Sequence, residues 1–252
     1  MNPSFLMFDH EIDLVFQPIV SIERPEIYSY ECLVRFTDRE PHETQETINF
    51  IETSGRALLL DRRVSLRLLD SLNDLSFLDG SPISMNITGH SVSSTTYLNW
   101  FESFVKRIKE PSRLIVELTE TLPISDIKQS RIFFDFCRSK GIFISLDDYG
   151  TGHSHIERLH ELPFRGAKLD GDFVLKWHEC EKSLSVAKEL VELSESFGLT
   201  TTAEFVSSIE DINRARMLGY HNAQGHFIGR PECNPTPPTE LLKNLTDQGM
   251  YQ

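Results

Sequence analysis

Eight polar residues recur at one kind of place in this chain, near the C-terminal ends of short apolar runs. Glu31 lies in IYSYECLVRF (27–36), Asn86 in PISMNIT (82–88) and Glu117 in RLIVELTE (113–120). Asp147 and Asp148 close GIFISLDD (141–148), Lys168 lies in FRGAKLD (164–170), Glu204 in LTTTAEFV (199–206) and Gln224 in NAQG (222–225). An ionisable side chain in a strand buried on both faces is costly unless it is paired, hydrogen-bonded or bound to a cation. Five carboxylates gathered at one place repel each other and hold protons unless cations neutralise them. An all-oxygen ligand set favours hard ions such as Mg2+, Mn2+ or Ca2+ over zinc. Two such ions, about 3.5–4 Å apart, clamp the attacking and leaving oxygens of a phosphoryl displacement.

Each residue also has a plainer use. Asp148 heads the glycine-containing loop YGTGHSH and is placed to cap the helix that follows. Lys168 is a natural counter-ion for Asp170 or Glu204, Asn86 a natural Asx-turn residue in NITG, and Gln224 a polar filler. Their shared position at strand ends favours the collective reading. Other chemistry has less support. There is no HExxH or CxxC for zinc, although His153 and His155 follow the fifth run. GTG at 150–152 lacks the third glycine of a dinucleotide loop, and no serine or cysteine sits in a nucleophile elbow.

For these residues to meet, the runs must share one mouth. The apolar runs, beginning with DLVFQPIV (13–20), are rich in Val, Ile, Leu and Phe, as buried strands are. Amphipathic stretches alternate with them. Their faces carry Val64, Leu68, Leu69 and Leu72; then Phe101, Phe104, Val105 and Ile108; then Ile132, Phe133, Phe136 and Cys137. Leu184, Ala187, Leu190 and Val191 form the next, and Ile209, Ile212 and Ala215 the last. Eight strands interleaved with helices over 252 residues is the profile of a TIM-type barrel, whose strand C-termini face one mouth. Only SIERPE separates the first two runs, too few residues for a parallel crossover. The expected fold is therefore a modified (β/α)8 barrel with an antiparallel first strand, forming a single domain over 1–252.

The formal net charge of −13 disfavours binding to long nucleic acid, whereas a small phosphorylated ligand is admitted if cations reverse the local sign. Four scattered cysteines fit reduced thiols in a cytoplasmic protein. Asp9, Glu11 and Asp13 break the start that a signal peptide needs, and no stretch approaches a membrane span.

The motifs, in order, resemble the EAL-domain phosphodiesterases of cyclic di-GMP. FQPIV (16–20) is similar to that family's opening strand, ECLVR (31–35) to its EAL(L)R signature and MNIT (85–88) to its NxS segment. VELTE (116–120) resembles ELTE, LDDYGTGHS (146–154) resembles DDFGTGYS, and LPFRGAKLDGDFV (162–174) resembles LP…KIDxxFV. AEFVS (203–207) stands where AEGVE is usual, and GYHNAQGHFIGRP (219–231) resembles the family's Gly…QGYxxxxP ending. The resemblance implies the same modified barrel, two Mg2+ or Mn2+ ions, and hydrolysis of cyclic di-GMP to linear pGpG. It implies that Glu31, Asn86, Glu117 and Asp147 ligate one metal, and that Asp147 and Asp148 face the second. Lys168 corresponds to the lysine that contacts the attacking water, Glu204 to the general base, and Gln224 to a residue holding the water network. Gln17 and Arg35 match positions that line the guanine and phosphate. Glu120 matches the anchor of the DDFG-type loop, which lies near the family's dimer interface, so a homodimer is implied.

Two departures bear on turnover. Phe205 replaces a glycine and Ser207 a second glutamate; if position 205 requires a positive φ, phenylalanine is costly there. The alternative to an active enzyme is accordingly an EAL-like module without turnover that binds cyclic di-GMP or a regulatory protein partner. Without the resemblance, an enolase-type barrel is the chemical rival, and it lacks its capping domain here.

Overall fold

The computed structural model describes residues 11–119, 123–150, 155–178 and 180–249. Eight strands close into a barrel in chain order: β1 (Ile12–Ser21), β2 (Glu26–Phe36), β3 (Ile83–Thr88), β4 (Leu114–Thr119), β5 (Phe143–Tyr149), β6 (Gly166–Leu169), β7 (Thr200–Ala203) and β8 (Asn222–Gln224). The helices are α1 (Thr44–Thr53), α2 (Ala57–Asn73), α3 (Gly89–Val92), α4 (Thr95–Val105) and α5 (Ile127–Ser139). They continue with α6 (His155–Glu161), α7 (Gly171–Lys176), α8 (Glu181–Ser196), α9 (Ile209–Leu218) and α10 (Thr239–Gly249). Among the described residues no helix is long and apolar enough to cross a membrane.

The short connection between β1 and β2 has the expected consequence. β1 runs antiparallel to β2, with Gln17 opposite Glu31, and antiparallel to β8, with Ile19 opposite Gln224. The pairs from β2 to β8 are parallel. β3, β4 and β6 are buried almost throughout because barrel interior and helix layer cover their two faces.

The helix stripes pack as their spacing predicts, with one correction. Val64, Leu68, Leu69 and Leu72 of α2 are buried, as are Phe101, Phe104 and Val105 of α4. On α5, however, Ile132 is exposed, and Phe134 takes the inward place, edge-on to Phe164 with ring centroids 4.9 Å apart. The 3.6-residue period admits either face of a helix that has apolar residues on adjacent positions. β6 and β7 are shorter than the apolar runs. Asp170 leaves the sheet to cap α7, accepting from the Asp172 amide at 2.6 Å, and Glu204 stands just beyond β7.

The sequel to β8 packs against the sequel to β7. The Val206 amide donates to the Gln224 carbonyl at 3.0 Å, and the Phe227 amide donates to the Val206 carbonyl at 3.3 Å. Between them Gly225 leaves no room for a side chain: a Cβ there would lie 2.0 Å from the Val206 oxygen and 2.4 Å from its nitrogen. Both obstacles are backbone atoms and cannot rotate away. Gly225→Ala should therefore cost about 3 kcal/mol of stability, read as a lower urea midpoint.

Candidate active site

Lys168 rises from β6 into the barrel mouth, and its Nζ is the centre of the site. Glu204 Oε1 lies 2.9 Å away, Glu31 Oε2 3.0 Å, and Glu117 Oε2 and Asp147 Oδ1 3.3 Å each. These carboxylates come from β2, β4, β5 and the end of β7, so one ammonium gathers residues 173 positions apart in sequence (204 − 31). The strand register explains the meeting. Asn86 is paired with Glu117 across β3 and β4, and β1 sets Gln17 directly opposite Glu31.

Glu31 is the most fully bonded of the group. Besides Lys168 it accepts from Gln224 Nε2 at 2.7 Å and from Asn86 Nδ2 at 3.2 Å. Gln224 also donates to Gln17 Oε1 at 3.2 Å, while Gln17 Nε2 donates to the Gly229 carbonyl at 3.0 Å. The plain alternatives are thereby resolved in part: Lys168 does pair with Glu204, but with three further carboxylates too. Asn86 bonds a carboxylate rather than turn backbone, and Gln224 is a bonded member of the cluster.

A cavity of about 580 Å3 opens over this cluster. Glu31, Asn86, Asp147, Lys168 and Glu204 line it, while Glu117 lies outside its lining. Arg35 reaches the same cavity, half-buried, with Nη1 donating to the Val34 carbonyl at 2.8 Å. Asp148 is exposed at the rim, with φ +52°. Glu120 and His153 lie outside the described residues.

The electrostatics follow from one cation among many acids. Burial raises Glu31, but Lys168 and the bonds from Gln224 and Asn86 outweigh it and hold the group below its ordinary range. Burial pushes Glu117 well up, and the charges of Glu31 and Asp147 add to that against Lys168. Asp147 is raised for the same reason. Partial desolvation at the rim, with Asp147 and Asp170 nearby, takes Asp148 to about 6. Burial, with Asp147 and Glu31, takes Glu204 to about 8 despite Lys168. Lys168 moves well upward: burial favours its neutral form, but the four carboxylates prevail.

The donor set fits divalent cations. Asn86 Oδ1 is buried and has no hydrogen-bond partner, which is expensive for a carbonyl oxygen unless something electropositive meets it. Oxygens of Asp147, Asp148 and Glu204 all lie within 4.8 Å of one another. With all five carboxyls ionised, one ammonium leaves a deficit of four positive charges, the charge of two divalent ions.

Asp211 and Asp61 are buried acids that a reading based on strand ends misses. Asp211 on α9 accepts from Trp177 Nε1 at 3.0 Å and from the Ser207 amide and hydroxyl, both at 2.9 Å; His178 Nε2 lies at 2.6 Å. An ionised carboxylate can only accept, so that histidine nitrogen carries the proton. Burial opposes the charge, yet the bonds from His178, Ser207 and Trp177 bring Asp211 down to about 2. Ser207 is thus a fastened part of the loop that carries Glu204. Its signal was the capping pattern Ser208-x-x-Asp211, where Ser208 accepts from the Asp211 amide. Asp61 of α2 accepts from the Thr88 amide and hydroxyl and from Ser91 Oγ at 2.5 Å, pinning the end of β3, and burial raises it to about 6. Its signal was a carboxylate on the same helix face as Val64 and Leu68.

The family model for the EAL domain matches residues 7–231. The chain is 26% identical over 233 residues to the cyclic di-GMP phosphodiesterase PdeL of Escherichia coli, covering 90% of this chain and 64% of that protein. It is 28% identical over 234 residues to the cyclic di-GMP phosphodiesterase RocR of Pseudomonas aeruginosa, covering 88% and 57%. It therefore spans less than two thirds of the length of these relatives. Among solved structures, the EAL enzyme Bd1971 in its cAMP- and cyclic-di-GMP-bound form superposes with a TM-score of 0.80 at 25% identity, over 97% of this chain and 67% of that one.

Two outcomes are expected. Carboxyls held high by burial must lose protons for a cation to bind, so Mg2+ binding should release protons and tighten as pH rises from 6 to 8. Calorimetry in buffers of different ionisation enthalpy reads both. Asp211→Ala, which strands several buried donors, should cost about 2–4 kcal/mol. Because its folded pKa is depressed, the stability from Asp211 is present above the ordinary value of 3.8 and is lost as pH falls toward about 2. Urea titrations of wild type and Asp211→Asn across pH 2–6 should converge at the acid end.

Proposed function

The chain belongs to the EAL domain family, and on that premise we propose that it hydrolyses one phosphodiester bond of cyclic di-GMP to give linear pGpG, lowering the level of that messenger. The observation that carries the reading is the convergence of Glu31, Glu117, Asp147 and Glu204 on a single ammonium, beside an unpartnered Asn86 oxygen. The chain's similarity to PdeL and RocR, both cyclic di-GMP phosphodiesterases, supports it.

In this reading Glu31, Asn86, Glu117, Asp147 and Asp148 would hold two divalent cations, Mg2+ or Mn2+. Bound there, the cations would neutralise the phosphodiester and acidify water. Lys168 donates to the attacking water, and Glu204, 2.9 Å from Lys168 Nζ, accepts its proton. The water oxygen attacks phosphorus and the bond to the 3′-oxygen breaks. That oxygen takes a proton from solvent and leaves as a hydroxyl, and pGpG keeps a 5′-phosphate. Arg35 supplies a positive charge to a phosphate at the mouth, and Gln17 lines the approach of a guanine. Gln224 keeps Glu31 oriented through its 2.7 Å bond. Glu120 is assigned to anchoring the loop after β5, near a homodimer interface. We assign the activity to the cytoplasm, consistent with free thiols at Cys32, Cys137, Cys180 and Cys233.

A second reading, a module that binds cyclic di-GMP or a regulatory protein without turnover, is favoured by one observation. Phe205 has φ +54°, so the residue beside Glu204 is strained. Product analysis separates the two. With Mg2+ or Mn2+ the protein should form pGpG, and Glu31→Gln should lower kcat by at least about 100-fold. Binding of cyclic di-GMP without any pGpG across both metals would select the module.

A further inference from the structure

We propose that Phe205 is a specificity-determining residue, an aromatic platform at the mouth on which one guanine base of the substrate stacks; this rests on the cyclic di-GMP reading above. A phenylalanine at φ +54° is a backbone outlier, since the left-handed region is disfavoured for any residue with a bulky Cβ substituent. The conformation is imposed from both sides. Val206, fully buried, is held by the Gln224 carbonyl and the Phe227 amide, so the turn cannot relax without breaking the junction between the sequels to β7 and β8. Strain that its surroundings over-determine marks functional positions.

The ring is also provided with a seat. At Gly171, the first residue of α7, an added Cβ would lie 1.4 Å from Phe205 Cδ2 and 2.2 Å from Cε2, so the missing side chain is the space that this edge of the ring fills. Despite that seat Phe205 remains 60% exposed, and it lines the same cavity as Glu204 and Leu175 of α7. A glycine, or an Asn or Asp, meets the backbone requirement at position 205 with less strain. The chain instead carries a large apolar ring there and a glycine opposite it, and leaves the ring open to the cavity. A purine presents a π-face to such a surface, and stacking of a base on an aromatic side chain is worth about 10-fold in affinity.

The test compares Phe205→Gly, Phe205→Leu and Phe205→Trp in the full chain. Cyclic di-GMP affinity is measured by calorimetry in Ca2+, and steady-state kinetics in Mg2+. The Gly and Leu variants should raise Kd and KM by about 10-fold, with kcat within about 3-fold of wild type and the Trp variant near wild type. Phe205→Gly, relieved of strain, should melt at the same or a higher temperature while binding worse, a combination that a merely structural ring does not give. Wild-type affinity in the Gly or Leu variant, or a loss of affinity that tracks a lower Tm, overturns the platform. A wild-type protein that neither binds nor hydrolyses cyclic di-GMP overturns the function reading instead.

Discussion

A buried ammonium surrounded by four carboxylates is the interaction on which the rest of the molecule depends. Neither sign of charge is affordable alone in that mouth: Lys168 without its partners would lose its proton, and the carboxylates without Lys168 would keep theirs. Together they still fall short of neutrality, because one positive charge faces Glu31, Glu117, Asp147 and Glu204, with Asp148 at the rim. Desolvation, with that deficit added, pushes Glu204 and Asp148 toward neutral pH, and the deficit suits the site to hard cations. It would also reconcile a net charge of −13 with the anionic ligand proposed.

Holding those charges in place takes a closed sheet. An open sheet would spread residues from β2, β4, β5, β6 and β7 along an edge, whereas closure aims them at one axis. The reversed β1 is more than a variation on the barrel. It sets Gln17 against Glu31 and brings β8 within reach, so the amides of Gln17 and Gln224 form a bonded series ending on Glu31. Outside the sheet, the loop carrying Glu204 is fixed by Asp211 and by the close backbone contact at Gly225. That loop carries strain, and the surrounding bonds keep it from relaxing.

The sequence by itself determined the barrel, the reversed first strand and the strand-end placement of the polar residues. Apolar periodicity and connection length are local properties, and a six-residue link between strands admits only an antiparallel pair. It also identified Phe205 and Ser207 as departures. What the tertiary structure alone decided was who partners whom. The convergence of four acids on Lys168, the unpartnered Asn86 oxygen and the fastening of Ser207 by Asp211 each join residues from separate elements. Their energies depend on distances that no local pattern encodes. The same holds for the inward face of α5, where Phe134 rather than Ile132 meets the core, and for Asp61, a carboxylate on an apolar stripe whose partners Thr88 and Ser91 lie beyond the reach of helical spacing. Whether a strained ring finds room is likewise settled by a glycine 34 residues earlier (205 − 171), because packing is a property of surfaces brought together by folding.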